Sequence, residues 1–393
     1  MTSNEIAVLA NPSAGRGRHR DLLPRVLKTL SQAGAVRVLE AHSGPGAERA
    51  CRAAVESGAA ALVAVGGDGT VHRALQAVAG SSVPFGVIPA GTGNDFAAGV
   101  GIPADVFEAA STITAAIRAN HTVPVDLARM TSLGPSAGER RPGPALSPAA
   151  EERRPGPATS PALEERFSGP PLGPAEERFP GPARSPAEER FTGQAADSAA
   201  EGRGPAPAVV PAPAPEAFGS AGEGGHVPIE QARWFGAVLA GGFDALVNER
   251  ANRMRWPRGP RRYDLAILLE LARLRPRVYE LEIDGADHGF TGMLVAVGNC
   301  ASYGGGMRIL PGADPYDGLL DVVVAVPFGR LALARLKPRL NRGTHVHDRR
   351  VRTFRAKQIK LRSADIIGYA DGERVGPLSL DITCVPGAVR LLR

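Results

Sequence analysis

The sequence predicts two domains of different class, an α/β domain with a parallel sheet followed by a β-rich domain. Residues 1–130 alternate short apolar runs with helical patterns, residues 131–230 are rich in proline and charge, and residues 231–393 contain many short strand-like runs. We therefore expect a first domain over 1–130, an insert over 131–230 and a second domain over 231–393.

The strands of the first domain are predicted from runs that are apolar throughout. Such runs occur at residues 6–10, 61–65 and 85–88, and amphipathic helical patterns separate them. A strand that is apolar on both faces must be covered on both faces, which is typical of parallel sheets. The pattern therefore indicates three layers, with helices on each side of the sheet.

The insert is predicted to be disordered. The unit Glu-Glu-Arg-x-x-Gly recurs at residues 151, 164, 176 and 188, with at most one large apolar residue in each unit. So little apolar surface cannot offset the entropy that is lost on folding. The flanking segments 123–130 and 233–240 are strand-like, so we expect the insert to enlarge the loop of a β-hairpin. A binding role for its repeated phenylalanines stays open.

Composition narrows the class of partner. The formal net charge of +6 favours anionic partners such as nucleotide phosphates or anionic lipid surfaces, and no nucleic-acid motif is recognised. Cys51, Cys300 and Cys384 lack metal-site spacing and suit a reducing compartment. The sequence has neither a secretory signal nor an apolar run of about 18 residues. We expect a cytoplasmic protein without a transmembrane segment that contacts the inner face of the membrane peripherally.

Three glycine-rich segments follow predicted strands and form the candidate binding site. Their candidate binding residues are Asn11, Ser13, Gly15 and Arg16 in the first segment, Gly66, Gly67, Asp68, Gly69 and Thr70 in the second, and Gly91, Thr92 and Asn94 in the third. The carboxyl ends of parallel strands meet at one edge of the sheet, where ligands bind. Because glycine lets the backbone approach phosphate oxygens, the segments predict a nucleotide phosphate site.

Asp68 and Asp95 are unexpected in a purely anion-binding site. Carboxylates beside phosphates repel them unless a cation lies between, so these two residues predict a Mg²⁺ ion. The segments match neither GxxxxGK[ST] nor GxGxxG, so neither an ordinary P-loop nor a dinucleotide fingerprint is supported.

The three segments together resemble the diacylglycerol kinase catalytic family, which includes soluble bacterial lipid kinases and is related to sphingosine and ceramide kinases. Residues 66–70 alone are shared with NAD kinases, whereas the combination with residues 91–97 is more specific. The resemblance covers the chain outside the insert. It implies that the second domain is a β-sandwich, that the active site lies in the cleft between the domains, and that ATP and Mg²⁺ are cofactors.

The segment Asp371-Gly372-Glu373 resembles the family's Asp-Gly-Glu motif. The resemblance implies that Glu373 is the base that receives the proton of the lipid hydroxyl, with Asp371 and Asp68 in the same catalytic group. A carboxylate that reaches across the cleft can orient the nucleophile and accept its proton.

Further aspartates are metal candidates by resemblance. Asp126 matches a family aspartate in a carboxylate–water–Mg²⁺ network, which here would include Asp68 and Asp95. Asp314 and Asp317 lie in a loop that resembles one where some members bind a structural metal. An acidic turn without a metal is the alternative for that loop.

The activity that the resemblance implies is transfer of the γ-phosphate of ATP to diacylglycerol, giving phosphatidic acid. The alternatives are another lipid acceptor such as ceramide, a sphingoid base or a glycolipid, an NAD kinase, and a non-catalytic nucleotide-binding regulator. A regulator would need no base, so Glu373 beside Asp68 and Asp95 argues against it. Arginines around Trp256 suit either an anionic bilayer surface or a solvated basic face. The oligomeric state, including a homodimer, stays open.

Overall fold

The computed structural model describes residues 4–10, 19–134, 232–254, 256, 260–329 and 338–393. Most of the insert expected at 131–230 lies outside these ranges. Its predicted disorder therefore concerns residues that the structure does not describe. The first candidate loop, with Asn11, Ser13, Gly15 and Arg16, also lies outside the described residues.

The first part of the chain forms three layers around a parallel sheet. Its strands are β1 (Glu5–Ala10), β2 (Ala35–Leu39), β3 (Ala61–Gly66) and β4 (Phe85–Pro89), in the spatial order β2-β1-β3-β4. Its helices are α1 (His19–Leu30), α2 (Gly44–Glu56), α3 (Asp68–Val78), α4 (Asp95–Gly99) and α5 (Val106–Ala119). All neighbouring strands in this order pair in parallel, and β3 and β4 are buried along their whole length. The parallel sheet that the apolar runs predict is confirmed.

Helix α3 starts earlier than its apolar periodicity indicates. That periodicity begins at Val71, but the helix begins at Asp68, directly after its N-cap Gly67. The glycine-rich segment therefore forms the first turn of α3 as well as the end of β3. This places Asp68, Gly69 and Thr70 at a helix N-terminus on the carboxyl edge of the sheet.

The second part is β-rich and mainly antiparallel. Its strands are β5 (Val123–Ser132), β6 (Arg233–Phe235), β7 (Val238–Ala240), β8 (Arg277–Ile283), β9 (Ala286–Asp287), β10 (Phe290–Gly292), β11 (Leu294–Gly298), β12 (Leu320–Ala325), β13 (Val351–Ala356), β14 (Gln358–Ala370) and β15 (Glu373–Leu391). Two helices, α6 (Phe243–Arg253) and α7 (Pro260–Ala272), lie between β7 and β8 in the chain. Strand β15 pairs with β14 and β5 and then joins β4 in parallel through Leu391 and Phe85. The last strand thus returns to the first sheet.

The strand-like segment at 233–240 is broken in the middle, which the sequence does not predict. Its first half, β6, pairs with β5, so the two segments form a hairpin. Its second half, β7, pairs instead with β11 and β14. Gly236 and Ala237 lie at the break, and both donate backbone amides to Asp371. The chain therefore changes partners at a point that a carboxylate fixes.

Separate hydrophobic clusters fill the two parts. One lies between the parallel sheet and its helices and includes Phe85 and Phe96, while another lies within the β-rich part and includes Tyr279 and Phe290. All described residues nevertheless belong to one compact unit. Within the described ranges, no helix is long and apolar enough to cross a bilayer.

Candidate active site

The second and third glycine-rich loops pack backbone against backbone. A Cβ atom at Gly67 would lie 3.1 Å from the Cα atom of Gly91, and a Cβ atom at Gly91 would collide with Gly67. Only glycine permits this approach at both positions. The contact brings the turn after β3 and the turn after β4 together at one edge of the sheet.

Asp68 and Asp95 flank a single point at this edge. A Cβ atom at Gly93 would lie 2.5 Å from Asp68 Oδ2 and 3.4 Å from Asp95 Oδ2, so the two oxygens are no more than about 6 Å apart. Burial, together with the charges of Asp95 and Asp371, raises the pKa of Asp68 to about 6. Closely spaced carboxylates with a raised pKa favour a bound cation, which would stabilise their ionised forms.

Backbone amides fix the orientation of these two carboxylates. Asp68 accepts hydrogen bonds from the amides of Asn94, at 2.7 Å, and Phe96, at 3.4 Å. Asp95 is buried and accepts bonds of 3.1 Å from the amides of Gly305 and Gly306, which belong to the β-rich part. Asp95 thus connects the parallel-sheet part to the β-rich part while it lies beside Asp68 at the candidate cation position.

The Asp371-Gly372 pair forms the two-residue turn between β14 and β15. Both residues have positive φ, of 51° and 81°, as in the turns that hairpins of this length favour. The Asp371 side chain is buried and accepts bonds from the amides of Gly236, at 3.0 Å, and Ala237, at 2.8 Å. Its Oδ2 atom also lies 3.1 Å from His72 Nδ1 on α3. Asp371 therefore attaches this turn to both parts of the molecule.

Glu373, the first residue of β15, lies over the first turn of α3. A Cβ atom at Gly69 would lie 2.7 Å from Glu373 Oε1, and Glu373 Oε2 accepts a bond of 3.0 Å from Arg73. The side chain remains 36% exposed. The β-rich part therefore presents a solvent-accessible carboxylate to the helix turn that begins with Asp68.

Asp126 occupies a different environment from Asp68 and Asp95. Its buried carboxylate accepts bonds from the amides of Gly318, at 2.7 Å, and Gly387, at 2.8 Å. Its own backbone binds Pro315 and Asn299, each through one hydrogen bond. Asp126 is thus attached to the β-rich part at four points, and its place in a Mg²⁺ network stays a prediction.

Asp314 and Asp317 lie in the loop that contacts Asp126. Asp314 accepts a bond of 3.1 Å from the amide of Tyr316, and Asp317 is paired with Arg355. A cation at Asp317 would have to displace this arginine. Among the described residues, no group of three or more His, Cys, Asp or Glu side chains is arranged to hold a metal ion. The structural metal at this loop also stays a prediction.

The neutral candidate residues have local roles as well. Asn94 has φ of 59° and exchanges two hydrogen bonds with the backbone of Gly91, at 2.9 and 3.1 Å, so its side chain holds the third loop closed. Thr70 is buried with its hydroxyl against Gly66, and Thr92 is exposed. The first turn of α3 has no side-chain cap at Gly67, which leaves this helix N-terminus suited to an anion.

Several residues at this site were not predicted from the sequence. His72, Arg73 and Gln76 on α3 contact Asp371, Glu373 and the backbone of Trp234. Polar residues at this spacing occur on most helices, so no local sequence pattern identifies these three as part of the site. The run Gly304-Gly305-Gly306, with positive φ at all three residues, binds Asp95, and a glycine run of this kind could have marked an amide-rich turn.

These features place carboxylates from the parallel-sheet part and the β-rich part around the first turn of α3. Residues 5–130 match the model of the diacylglycerol kinase catalytic domain, and residues 236–393 match the YegS C-terminal NAD kinase beta sandwich-like domain. A diacylglycerol kinase of Mycobacterium tuberculosis is 32% identical over 392 residues, covering 99% of this chain and 95% of that protein. A probable lipid kinase, YegS-like, of Klebsiella pneumoniae is 44% identical over 71 residues, which cover 18% of this chain and 23% of that protein.

The chain belongs to the diacylglycerol kinase family and is a phosphotransferase of the lipid kinase type. The resemblance found in the glycine-rich and Asp-Gly-Glu motifs is confirmed. A crystal structure of a diacylglycerol kinase from Bacillus anthracis strain Sterne shares the fold, with a TM-score of 0.56, 17% identity, and coverage of 100% of this chain and 97% of that chain. The α/β and β-sandwich architecture is confirmed with it.

Proposed function

We propose that the enzyme transfers the γ-phosphate of ATP to the free hydroxyl of diacylglycerol and so forms phosphatidic acid. One observation carries this proposal: Glu373, from the β-rich part, lies over the helix turn that begins with Asp68. A carboxylate that is accessible and faces a phosphate-binding turn can serve as base for a hydroxyl nucleophile.

In the proposed reaction, the uncapped first turn of α3 and the loops around Gly67 and Gly91 bind the nucleotide phosphates. Asp68 and Asp95 would hold a Mg²⁺ ion, which would neutralise phosphate charge. The lipid hydroxyl oxygen forms a bond to the γ-phosphorus, the bond to the bridging oxygen breaks and ADP leaves. Glu373 receives the hydroxyl proton.

The alternative functions are distinguished by which acceptor, if any, receives the phosphate. Ceramide, a sphingoid base or a glycolipid would use the same cleft and base, and the Klebsiella relative supports only the broader class of lipid acceptor. NAD kinase activity would be independent of any lipid surface. A non-catalytic regulator would bind ATP and transfer no phosphate.

We also infer peripheral contact with an anionic membrane at the inner face of the cell membrane. Residues 250–277 contain nine arginines and two acidic residues, a formal charge of +7, whereas the whole chain carries +6. In this segment Trp256 is 78% exposed, Leu268 is 62% exposed and Tyr263 is 41% exposed. Exposed apolar side chains beside arginines suit the headgroup region of an anionic bilayer.

The test uses γ-labelled ATP and Mg²⁺ with diacylglycerol, ceramide and sphingosine in mixed micelles, and with NAD in buffer. We expect label in the diacylglycerol product, and a loss of at least about 100-fold in Glu373→Gln. The matched control is Glu282→Gln, because Glu282 is also half-exposed and paired with a cation, Lys360, at 2.7 Å. Label in another lipid would show that diacylglycerol is not the acceptor but would leave the proposed mechanism in place. ATP binding without transfer to any acceptor would support a non-catalytic regulator.

Membrane contact has a separate test. Sedimentation with vesicles should show binding that requires anionic phospholipid and weakens in Trp256→Ala and in the double variant Arg261→Ala, Arg273→Ala. Equal binding to zwitterionic vesicles, or no binding to either kind, would refute this surface.

A further inference from the structure

A chain of alternating charges leads from the β-rich part through the parallel-sheet part to Glu373. Arg233 lies 3.3 Å from Glu48, Glu48 lies 3.3 Å from Arg73, and Arg73 lies 3.0 Å from Glu373. All four side chains are between 21% and 36% exposed, so water screens these pairs only in part. Arg73 is the member that contacts the proposed base.

The position of the Arg73 guanidinium is fixed from several sides. Gly44, the first residue of α2, makes room for it, because a Cβ atom at Gly44 would occupy the place of the guanidinium. Glu48, one turn further along α2, accepts a hydrogen bond from the other terminal nitrogen of Arg73, Nη1. The neighbouring side chains His72 and Gln76 bind Asp371 and the backbone of Trp234, so this face of α3 is held against the β-rich part.

The contact with Glu373 leaves one carboxylate oxygen available. Arg73 Nη2 donates to Oε2, whereas Oε1 lies over Gly69 in the first turn of α3. A glutamate side chain has three rotatable bonds, and a base must lie within hydrogen-bonding distance of the proton that it accepts. Fixing Oε2 restricts where Oε1 can lie, and a displacement of about 1 Å at a reacting group can reduce the rate about 100-fold.

We propose that Arg73 is the positioning residue for Glu373, which it holds with Oε1 directed at the phosphate-binding turn of α3. This inference rests on the proposed function, in which Glu373 accepts the proton of the lipid hydroxyl. Arg73 acts through Glu373 and has no separate role toward the nucleotide.

The test is a double-mutant cycle with Arg73→Ala, Glu373→Gln and both together, measured as kcat and as KM for ATP with the accepted lipid. We expect Arg73→Ala to reduce kcat about 10- to 100-fold and to change KM for ATP less than about threefold. Arg73→Lys should recover part of the lost rate, because it restores the charge without the second contact to Glu48. In the Glu373→Gln background, Arg73→Ala should reduce kcat by less than about twofold.

Two variants separate positioning from folding. Arg37→Ala removes an exposed arginine that pairs with Glu5 at 2.7 Å, and it should leave kcat unchanged. Gly44→Ala displaces the Arg73 guanidinium without removing any charge, and it should lower kcat in the same way as Arg73→Ala. If Arg73→Ala does not fold, the Gly44→Ala variant carries the test.

The outcomes distinguish this inference from the proposed function. No transfer by the wild type, or full activity of Glu373→Gln, would overturn the proposed function and this inference with it. Transfer that depends on Glu373 but not on Arg73 or Gly44 would overturn this inference alone. An equal loss for Arg73→Ala with and without Glu373, or a large rise in KM for ATP, would also overturn it, since either result gives Arg73 a role of its own.

Discussion

Replacement of Asp126 by asparagine separates a structural role from a role in metal binding. The substitution keeps the size and shape of the side chain but removes its charge and one acceptor oxygen. In the structure, Oδ2 accepts the amide of Gly318 at 2.7 Å and Oδ1 accepts the amide of Gly387 at 2.8 Å, and the residue is only 4% exposed. An asparagine can accept a hydrogen bond from one of these amides, but its NH₂ group then faces the other amide, which is left without an acceptor.

The expected loss can be worked from these two bonds. A hydrogen bond to a buried charged group contributes about 1.5–3 kcal/mol, and a buried amide left without an acceptor costs about 1–3 kcal/mol. We expect Asp126→Asn to lower the free energy of unfolding by about 2–4 kcal/mol, which corresponds to a fall in Tm of about 3–6 °C for a folded part of about 300 residues. The strand β5 would lose part of its attachment to the loop after Pro315 and to the turn before Ala388.

The assay is thermal and chemical unfolding of Asp126→Asn beside Asp105→Asn. Asp105 also accepts two backbone amides, from Phe107 and Glu108 at 2.9 Å each, but it is an exposed N-cap, where asparagine is an equally good residue. Asp105→Asn should therefore change Tm by less than about 2 °C. Unchanged stability of Asp126→Asn, together with a large rise in the Mg²⁺ concentration needed for activity, would refute this reasoning and support the metal network.

Asp244 should make stability depend on pH, because burial raises its pKa to about 6 despite the bonds from Ala245 and Tyr303. The unfolded chain releases this proton near pH 4, so the free energy of unfolding falls by up to about 3 kcal/mol as pH rises from about 4 to 6. Asp244→Asn should lack this fall when chemical unfolding at pH 4.5 is compared with that at pH 7.5. An equal fall in both proteins would contradict the assignment. Replacement of residues 135–231 by a short glycine-serine linker should preserve folding and kinase activity, because Met130 and Arg233 already pair across the hairpin. An inactive but folded deletion variant would instead assign the insert a role in catalysis or lipid access.

The parallel sheet and its loops could be predicted from the sequence because their determinants are local. Apolar runs such as residues 61–65 must be buried wherever they lie, and the glycines that follow them mark sharp turns. The pairing of the hairpin around the insert was predicted from two strand-like flanks. The break at Gly236 was not, because it depends on Asp371, which lies 135 residues further along the chain.

The environment of each aspartate could not be predicted for the same reason. Asp68 and Asp95 lie in glycine-rich segments after strands, whereas Asp126 lies within β5 and was linked to a cation only by the family resemblance. Their hydrogen-bond partners differ: Asp95 meets the amides of Gly305 and Gly306, more than 200 residues away in the chain, and Asp126 is held by two amides of the β-rich part. Only the fold determines whether a carboxylate faces a cation, an amide or both.

The Asp-Gly-Glu motif shows how one short segment divides two tasks. Asp371 lies in the turn, buried, and its bonds to Gly236, Ala237 and His72 fix where β15 begins. Glu373 lies two residues later at the start of that strand, partly exposed, and reaches α3. Because Asp371 fixes the turn and Arg73 binds Oε2 of the glutamate, the Glu373 carboxylate reaches the first turn of α3 without being buried in it. The role of base that we propose for Glu373 needs this combination, since a base must be held in position and still be free to accept a proton.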